Sequence, residues 1–592
     1  MDRISKTDPT NGTRRMNTRT KTALEILRTA GLIGVLGNVL LRQTPWGLNA
    51  FLFVSVFAAG LVMLMWRRRP ELLTKNTIGL TGAMVFFASM FLIRDSIELR
   101  VYDTFAILII MGVILLENFG VKAHIAGAFH YVCGFIWSGI TSVFGPIALF
   151  ASDLEWNAMP GNKISRAMFS ILRGLAIALP LLLIFGGLFM AADAAFEGVV
   201  NRVLNFDLDV VVSHIVLTSV LAWLTAGYFR GALAERIFMG ATVSAAATTN
   251  GEASDKNASF VEKVAAEPAD NSSSLPDNAT ILEHINRSDP PNAAVAETRK
   301  KFDWQNFDNS SISPIFTFGT IETVVILGLI DLLFLAFVIV QIPYLFGGMD
   351  LVQTTPDFKL ADYARRGFGE LVAVAALVLP MLLVSHWLIR RDKEMPERIF
   401  KVLAGIQIAL LFVIMASAVQ RLLLLTGELG YGLTTVRFYP MVVMIWLAIV
   451  FGWFALTVFR GARNRFAWGA LWSAIVILGA TNLMNPDAFI ARTNIALMSQ
   501  GRQFDVYYNT SELSDDAVPS LVDALGSFGL ENGCRVKDRL HDRLIETGNE
   551  QDLRSWNLSR WRARNVMTTE TAIAAENAAS DGCDQYLNPL PH

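Results

Sequence analysis

Apolar residues along this chain gather into runs of about 16 to 25, separated by short polar or charged stretches. That is the length a helix needs to cross a hydrocarbon core of about 30 Å. Eleven segments read as membrane-spanning helices: 23–41, 48–66, 78–93, 102–117, 174–192, 211–229, 321–342, 370–389, 400–424, 436–457 and 466–483. The fold class they predict is all-α, a polytopic transmembrane helix bundle of about 11 spans. A soluble chain of this length would instead show several domains built from shorter periodic segments.

The segment 131–150, YVCGFIWSGITSVFGPIALF, is also long and apolar enough to span. Lys122 before it and Lys163, Arg166 and Arg173 after it nevertheless favour the same side of the membrane. It is therefore read as interfacial or re-entrant; if it crosses, every later helix reverses. With the N-terminus inside, the cytoplasmic stretches receive about 30 of the 50 basic residues, the bias that sets membrane orientation. Arg67, Arg68 and Arg69 contribute to it, as do Arg390, Arg391 and Lys393, then Arg460, Arg463 and Arg465.

The pattern divides the chain into a basic cytoplasmic N-terminus (1–22), a first transmembrane half of six helices plus segment 131–150 (23–239), and a linker (240–315). A second half of five helices (316–485) and a soluble C-terminal region (486–592) follow. Rich in Ala, Ser, Asn, Thr, Asp and Pro, the linker cannot bury enough apolar surface to offset its ordering entropy, which predicts a disordered cytoplasmic loop. An odd number of spans puts the C-terminal region outside the cytoplasm. Within it, 511–530 carries a helix signature: Ser514 or Asp515 to cap it, and Val518, Leu521, Val522 and Leu525 at helical spacing. A second helix is expected near 535–547, and disorder past about 565.

Composition agrees. Hydrophobic residues make up 53% of 592 positions, charged residues 17%, and the mean hydropathy is +0.43. Soluble domains carry about 25% charged residues. A net charge of −2 gives no reason to expect nucleic acid. The polar, basic start (RRMNTRTK, 14–21) lacks the pattern of a removable signal peptide, so the first helix should direct insertion.

Several stretches, RGLAIALPLLLIFGGLFMAADAAF (173–196), VQIPYLFGG (340–348), DYARRGFGELVAVAAL (362–377), YGLTTVRFY (431–439), NPDAFIARTN (485–494) and RSWNLSRWRAR (554–564), resemble an uncharacterised family of bacterial multi-pass membrane proteins catalogued as a domain of unknown function. The resemblance covers most of the chain after about residue 20, the loop 240–315 excepted. It implies a bacterial membrane location and no assigned activity. It also implies that an amide can stand in place of Asp331, as it more often does in that family.

Candidate chemistry begins with Asp331, mid-helix in GLIDLLFLAF. A carboxylate at bilayer depth costs about 2.5–3.5 kcal/mol and often marks an ion or proton path. It reads either as a relay, with Gln341 nearer the outer surface, or as a buried carboxyl bonded to a neighbouring helix. Arg365, Arg366 and Glu370 at the outer juxtamembrane edge, with Arg421 and Arg437 near the same surface, read either as an anion or lipid-headgroup site or as local ion pairs with Glu370 and Asp362. Cys534 and Cys583 in an exported region are free to form a disulfide. Pro180, Pro380 and Pro440 should kink their helices. His124 and His130, with Glu117 upstream, have too few ligands for a metal, and His386 reads as a solvated or capping residue. Trp556 and Trp561 should pack on one face of a short helix, against the membrane surface or the protein.

No phosphate-binding loop, zinc-protease motif or nucleophile elbow occurs, so no metal, cofactor or catalytic residue is predicted and the leaning is away from an enzyme. The partners expected are the lipid bilayer and an anionic lipid or small solute. Two functions remain open: a permease or lipid- or solute-handling protein of a bacterial inner membrane, or a non-catalytic scaffold or sensor acting through its C-terminal region and cytoplasmic loop.

Overall fold

The structure, a computed structural model, describes residues 18–154, 208–233, 319–346, 368–389, 394–426, 432–462, 465–547 and 552–577. These residues are helical, with no strand among them, and eleven of their helices are long and apolar enough to cross a membrane. Ten coincide with segments expected to span. The eleventh contains 131–150, whereas the expected span 174–192 and the linker 240–315 lie outside the described residues.

The first bundle comprises α1 (Thr18–Leu41), α2 (Leu48–Arg68), α3 (Lys75–Ile93), α4 (Ile97–Asn118), α5 (Ala128–Ala148) and α6 (Leu208–Leu233). Short connections make α1 to α4 antiparallel neighbours. Glu25 near the start of α1 pairs with Arg68 at the end of α2, Nη2 to Oε1 2.5 Å. Helix α6 runs against α1: Asn38 near the end of α1 bonds His214 near the start of α6 at 2.8 Å. The two backbones come close at Gly34, which has no side chain to hold them apart: a Cβ there would meet Ala222 and the Thr218 carbonyl at 2.7 Å. Leu61, Met84, Phe87, Ile110 and Phe229 fill the core.

Helix α5 behaves differently from its neighbours. Near its start, the Tyr131 hydroxyl donates to the Ala123 carbonyl, just past the end of α4. In its middle, Trp137 meets Phe119 edge-on, and Thr141 abuts Gly231 at the end of α6. After it, Asp153 pairs with Arg19 at the start of α1 (2.6 Å) and with Arg230 at the end of α6 (2.7 Å). Start, middle and end all touch the same end of the bundle, so α5 lies across α4 and α6 instead of alongside them.

The second bundle comprises α7 (Thr320–Phe346), α8 (Phe368–Leu388), α9 (Glu394–Thr426) and α10 (Thr435–Val458), around a separate core with Phe400, Leu411, Phe451 and Phe454 at its centre. Helix α11 (Phe466–Met484) lies between the two: Trp468, Leu471, Ile475 and Leu478 pack on the first core, Phe466 and Ala470 on the second.

The C-terminal region is a helical cap of α12 (Pro486–Ser499), α13 (Val518–Asp523), α14 (Leu530–Thr547) and α15 (Leu558–Asn577). It sits on the bundle end opposite the one bearing the start of α1, because its partners are the α1–α2, α3–α4 and α9–α10 connections. A third core seals it down, joining Val518, Leu521, Val536, Leu540, Ala563 and Met567 of the cap to Leu99, Leu433, Phe438 and Tyr439 of the bundles. Two expectations need correction here. The periodic stretch 511–530 is not one helix: a wide turn at Tyr508–Glu512 precedes α13, and a tight turn follows at Leu525–Ser527, where Gly526 and Gly529 interrupt helical propensity. The chain past 565 is helical to Asn577, anchored by the buried Ala563 and Met567.

Candidate functional site

Two polar groupings stand out against this apolar background. The first lies inside the second bundle. Along α7 the buried positions are Thr323, Leu327, Asp331 and Val338, a single stripe at helical spacing, while Leu329, Leu332, Leu333, Ile339 and Val340 face outward. Asp331 therefore points into the protein, on the face where α7 makes its broadest packing, against α9. It is 7% exposed, and among the described residues neither carboxyl oxygen has a hydrogen-bond partner. On α9, Gln407 lies in the buried stripe with Phe400, Ala404, Leu411 and Ile414, fully enclosed, and among the described residues neither end of its amide has a partner. Buried polar side chains are satisfied in most structures, because an unmet one costs about 1–3 kcal/mol. Two on a pair of packed helices mark a place able to donate to and accept from something polar.

The second grouping joins cap to bundles. Asn485, in the left-handed conformation at φ 60°, ends α11 and begins α12; its side chain accepts from the Ala488 amide, and Pro486 takes the first helical position. This turn sends Asp487 into the interior, where it accepts from the Ser514 hydroxyl and from the Ser514 amide at 3.0 Å. Arg94, at the end of α3, reaches over the C-terminus of α11: its guanidinium donates to the Asn482 carbonyl (2.7 Å), the Leu483 carbonyl (3.1 Å) and Asp516 of the cap (3.3 Å). A cation there also meets the negative end of the helix dipole. Asp516 in turn accepts from the Asp95 amide at 2.7 Å and from the Ser559 hydroxyl. Arg100 pairs with Asp95, Arg560 lies 3.8 Å from it, and Arg543 pairs with Asp515 at 2.7 Å. One helical turn deeper, Asp103 of α4 accepts from the Asn482 amide at 2.8 Å.

Burial dominates the electrostatics of the cap. It pushes the Asp487 carboxyl up to about 6, against the opposing effect of Ser514. It raises Asp95 and Asp515 too, although each faces arginines that favour its charged form. The second bundle is tied to the same cap. Asn494 of α12 receives the Leu433 amide (2.7 Å) and donates to the Leu433 carbonyl (3.0 Å), and the Tyr508 hydroxyl receives the Thr435 amide (2.7 Å).

Of the residues predicted from sequence, Asp331 is placed as described. Gln341, Glu370 and Arg421 fall on helices, but their side chains lie outside the described residues, as do Arg365, Arg366 and Cys583 altogether. Arg437 donates to the Gly432 carbonyl within the α9–α10 connection. Cys534 is buried in the cap. His386, read as a solvated or capping residue, lies in the last turn of α8, half-buried with its ring against Phe400, 5.1 Å between centroids. His124 bonds Asn76 at 3.1 Å, and among the described residues no group of three His, Cys, Asp or Glu could hold a metal.

Gln407 and the junction charges Arg94, Asp95, Asp103, Asp487, Asp515 and Asp516 were not among the site residues predicted from sequence. A signal for the junction existed. YGLTTVRFY, NPDAFIARTN and RSWNLSRWRAR, far apart in sequence, supply Leu433 and Thr435, then Asp487 and Asn494, then Ser559 and Arg560 to this one interface.

Comparison with known proteins adds a family and no activity. The family model described as Domain of unknown function (DUF4153) matches residues 80–251 and 286–524, and the chain belongs to that family. No curated protein matches, and no solved structure does.

Proposed function

We propose that this integral membrane protein is a permease-class or lipid- and solute-handling protein of a bacterial inner membrane, a reading that rests on its many apolar helices and on one polar site among them. Its polar site is Asp331 with Gln407. The N-terminal end of the bundles faces the cytoplasm and the cap faces outward, in keeping with the basic residues Arg67, Arg68, Arg69 and Lys75 at the N-terminal end. One observation supports the assignment above others: a buried carboxyl on α7 and a buried amide on α9, the helix α7 packs against, have no hydrogen-bond partner among the described residues. A group of this kind is retained at a cost, and a bound polar solute or headgroup would offset it. The role assigned is hydrogen bonding and not a fixed charge, since the buried carboxyl has no counter-charge beside it among the described residues.

The test compares a strain lacking the protein with strains carrying wild type, Asp331→Asn, Asp331→Leu or Gln407→Leu at equal membrane abundance, reading lipid composition and uptake of small polar solutes. Deletion should alter one of these, the leucine variants should reproduce the deletion, and Asp331→Asn should retain function. Leucine variants indistinguishable from wild type would remove the site. Loss in Asp331→Asn as well would replace hydrogen bonding by a proton relay.

A second reading, a sensor or scaffold acting through the cap, is favoured by the junction, whose bonds reach both bundles. It predicts that loosening the cap by Asp516→Ala reproduces the deletion while Gln407→Leu does not.

A further inference from the structure

By length and composition alone, the stretch Ala128–Asp153 counts as a membrane crossing. Its contacts contradict that count. From Tyr131 to Asp153 the helix could advance about 33 Å at 1.5 Å per residue, enough to reach the cap end if it ran with the bundle. Instead, Asp153 holds Arg19 and Arg230, and its backbone carbonyl accepts from Thr20 at 3.3 Å, all at the end where α5 began. His124, four residues before α5, bonds Asn76 at the start of α3, on that same end.

The two faces of α5 are unlike. Gly134, Ser138, Thr141 and Gly145 are buried, and small enough for backbones to touch: a Cβ on Gly112 would meet the Phe135 backbone at 2.6 Å, and one on Gly227 the Ser142 carbonyl at 2.3 Å. The opposite face presents Val132, Ile136, Ile140, Val143 and Ile147 at helical spacing, all exposed. No charged residue occurs between Lys122 and Asp153. A surface helix that greets headgroups has a charged face, and α5 has none. Water against so long an apolar strip would be costly. The strip also continues onto α6 through Trp223, whose indole donates to the Val143 carbonyl at 2.8 Å and whose ring stacks on Phe150.

We propose that α5 is an in-plane helix that does not cross the membrane and seats its Val132–Ile147 face among acyl chains of the leaflet at the N-terminal end. Asp153, clamped by two arginines, is the pin that returns the chain to that end.

The experiment uses the full chain in sealed proteoliposomes of one orientation, in a Cys133→Ser background. Lys122→Cys and Ser152→Cys, both at exposed positions flanking α5, are treated with a membrane-impermeant maleimide, with Ala151→Cys as a second marker for the far flank. Fluorophores at Val132→Cys and Ile147→Cys are then challenged with lipids carrying shallow or deep quenchers. The expected result is that both flanks react from one side and both fluorophores are quenched to equal extents by the same lipid. Flanks reacting from opposite sides would overturn the proposal and restore a crossing. Flanks on one side with fluorophores shielded from every lipid quencher would overturn the lipid occupant in favour of a second protein copy.

Discussion

Removing the Asp516 carboxylate should release the cap. Its side chain is 1% exposed, and it accepts from the Arg94 guanidinium, the Asp95 amide and the Ser559 hydroxyl. Asp516→Ala leaves Arg94, itself only 13% exposed, facing a hole where its counter-charge stood. Breaking one side of a buried ion pair costs about 3–5 kcal/mol, mostly because the surviving charge stays buried without compensation. Two of the three Arg94 contacts are to carbonyls of α11 and survive, so the lower end of that range applies. At 1.4 kcal/mol per factor of ten, the open population of the cap should rise on the order of a hundred- to a thousand-fold. Hydrogen exchange of α13 and α15 amides in nanodiscs reads this population directly, while heating in detergent would report an irreversible rate. Glu531→Ala is the control: its pair with Arg535 joins two side chains that are 54% and 52% exposed, and such pairs contribute well under 1 kcal/mol. If exchange in Asp516→Ala matched that of Glu531→Ala, the junction would not be what holds the cap.

The Asp487 carboxyl is raised from 3.8 to about 6 in the folded cap, so its folded form binds a proton more readily than its unfolded form. Its contribution is complete below about pH 4, is lost as pH rises through about 6, and at neutral pH leaves a penalty of about 3 kcal/mol. Asp487→Asn should accordingly exchange more slowly than wild type at pH 7.5 and equally at pH 4; a variant less protected at pH 7.5 would refute this. Gly227→Ala should destabilise the α5–α6 crossing by about 1–3 kcal/mol, because its Cβ would lie 2.3 Å from a backbone carbonyl that cannot rotate away. Gly139→Ala, with nothing within 4 Å, is the neutral counterpart, and equal unfolding midpoints for the two would count against so close a crossing. A Cys534–Cys583 disulfide predicts that neither thiol alkylates in non-reduced protein while Cys133 does; full labelling of all three would remove it.

The membrane helices were legible because one physical requirement, internal satisfaction of the backbone in lipid, forces long apolar runs that no other fold needs. Segment 131–150 shows where that legibility ends. Its hydropathy matches that of a crossing helix, and only the basic residues on either side of it argue otherwise. The contacts that lay it across α4 and α6 come from Gly112 and Gly227, residues with no side chain to announce them. Three motifs marked the junction, but which charges pair within it was illegible for a related reason. Arg94 and Asp516 are 422 positions apart, and each alone resembles an ordinary charge at a helix end. What makes them partners is that α3 and α11 finish at the same level, so that one guanidinium can cover the last carbonyls of α11 and still reach the cap. Periodicity reports the face of a helix and composition reports its solvent. Neither reports how far along its neighbour a helix stops, and at this interface the stopping points decide which charges meet.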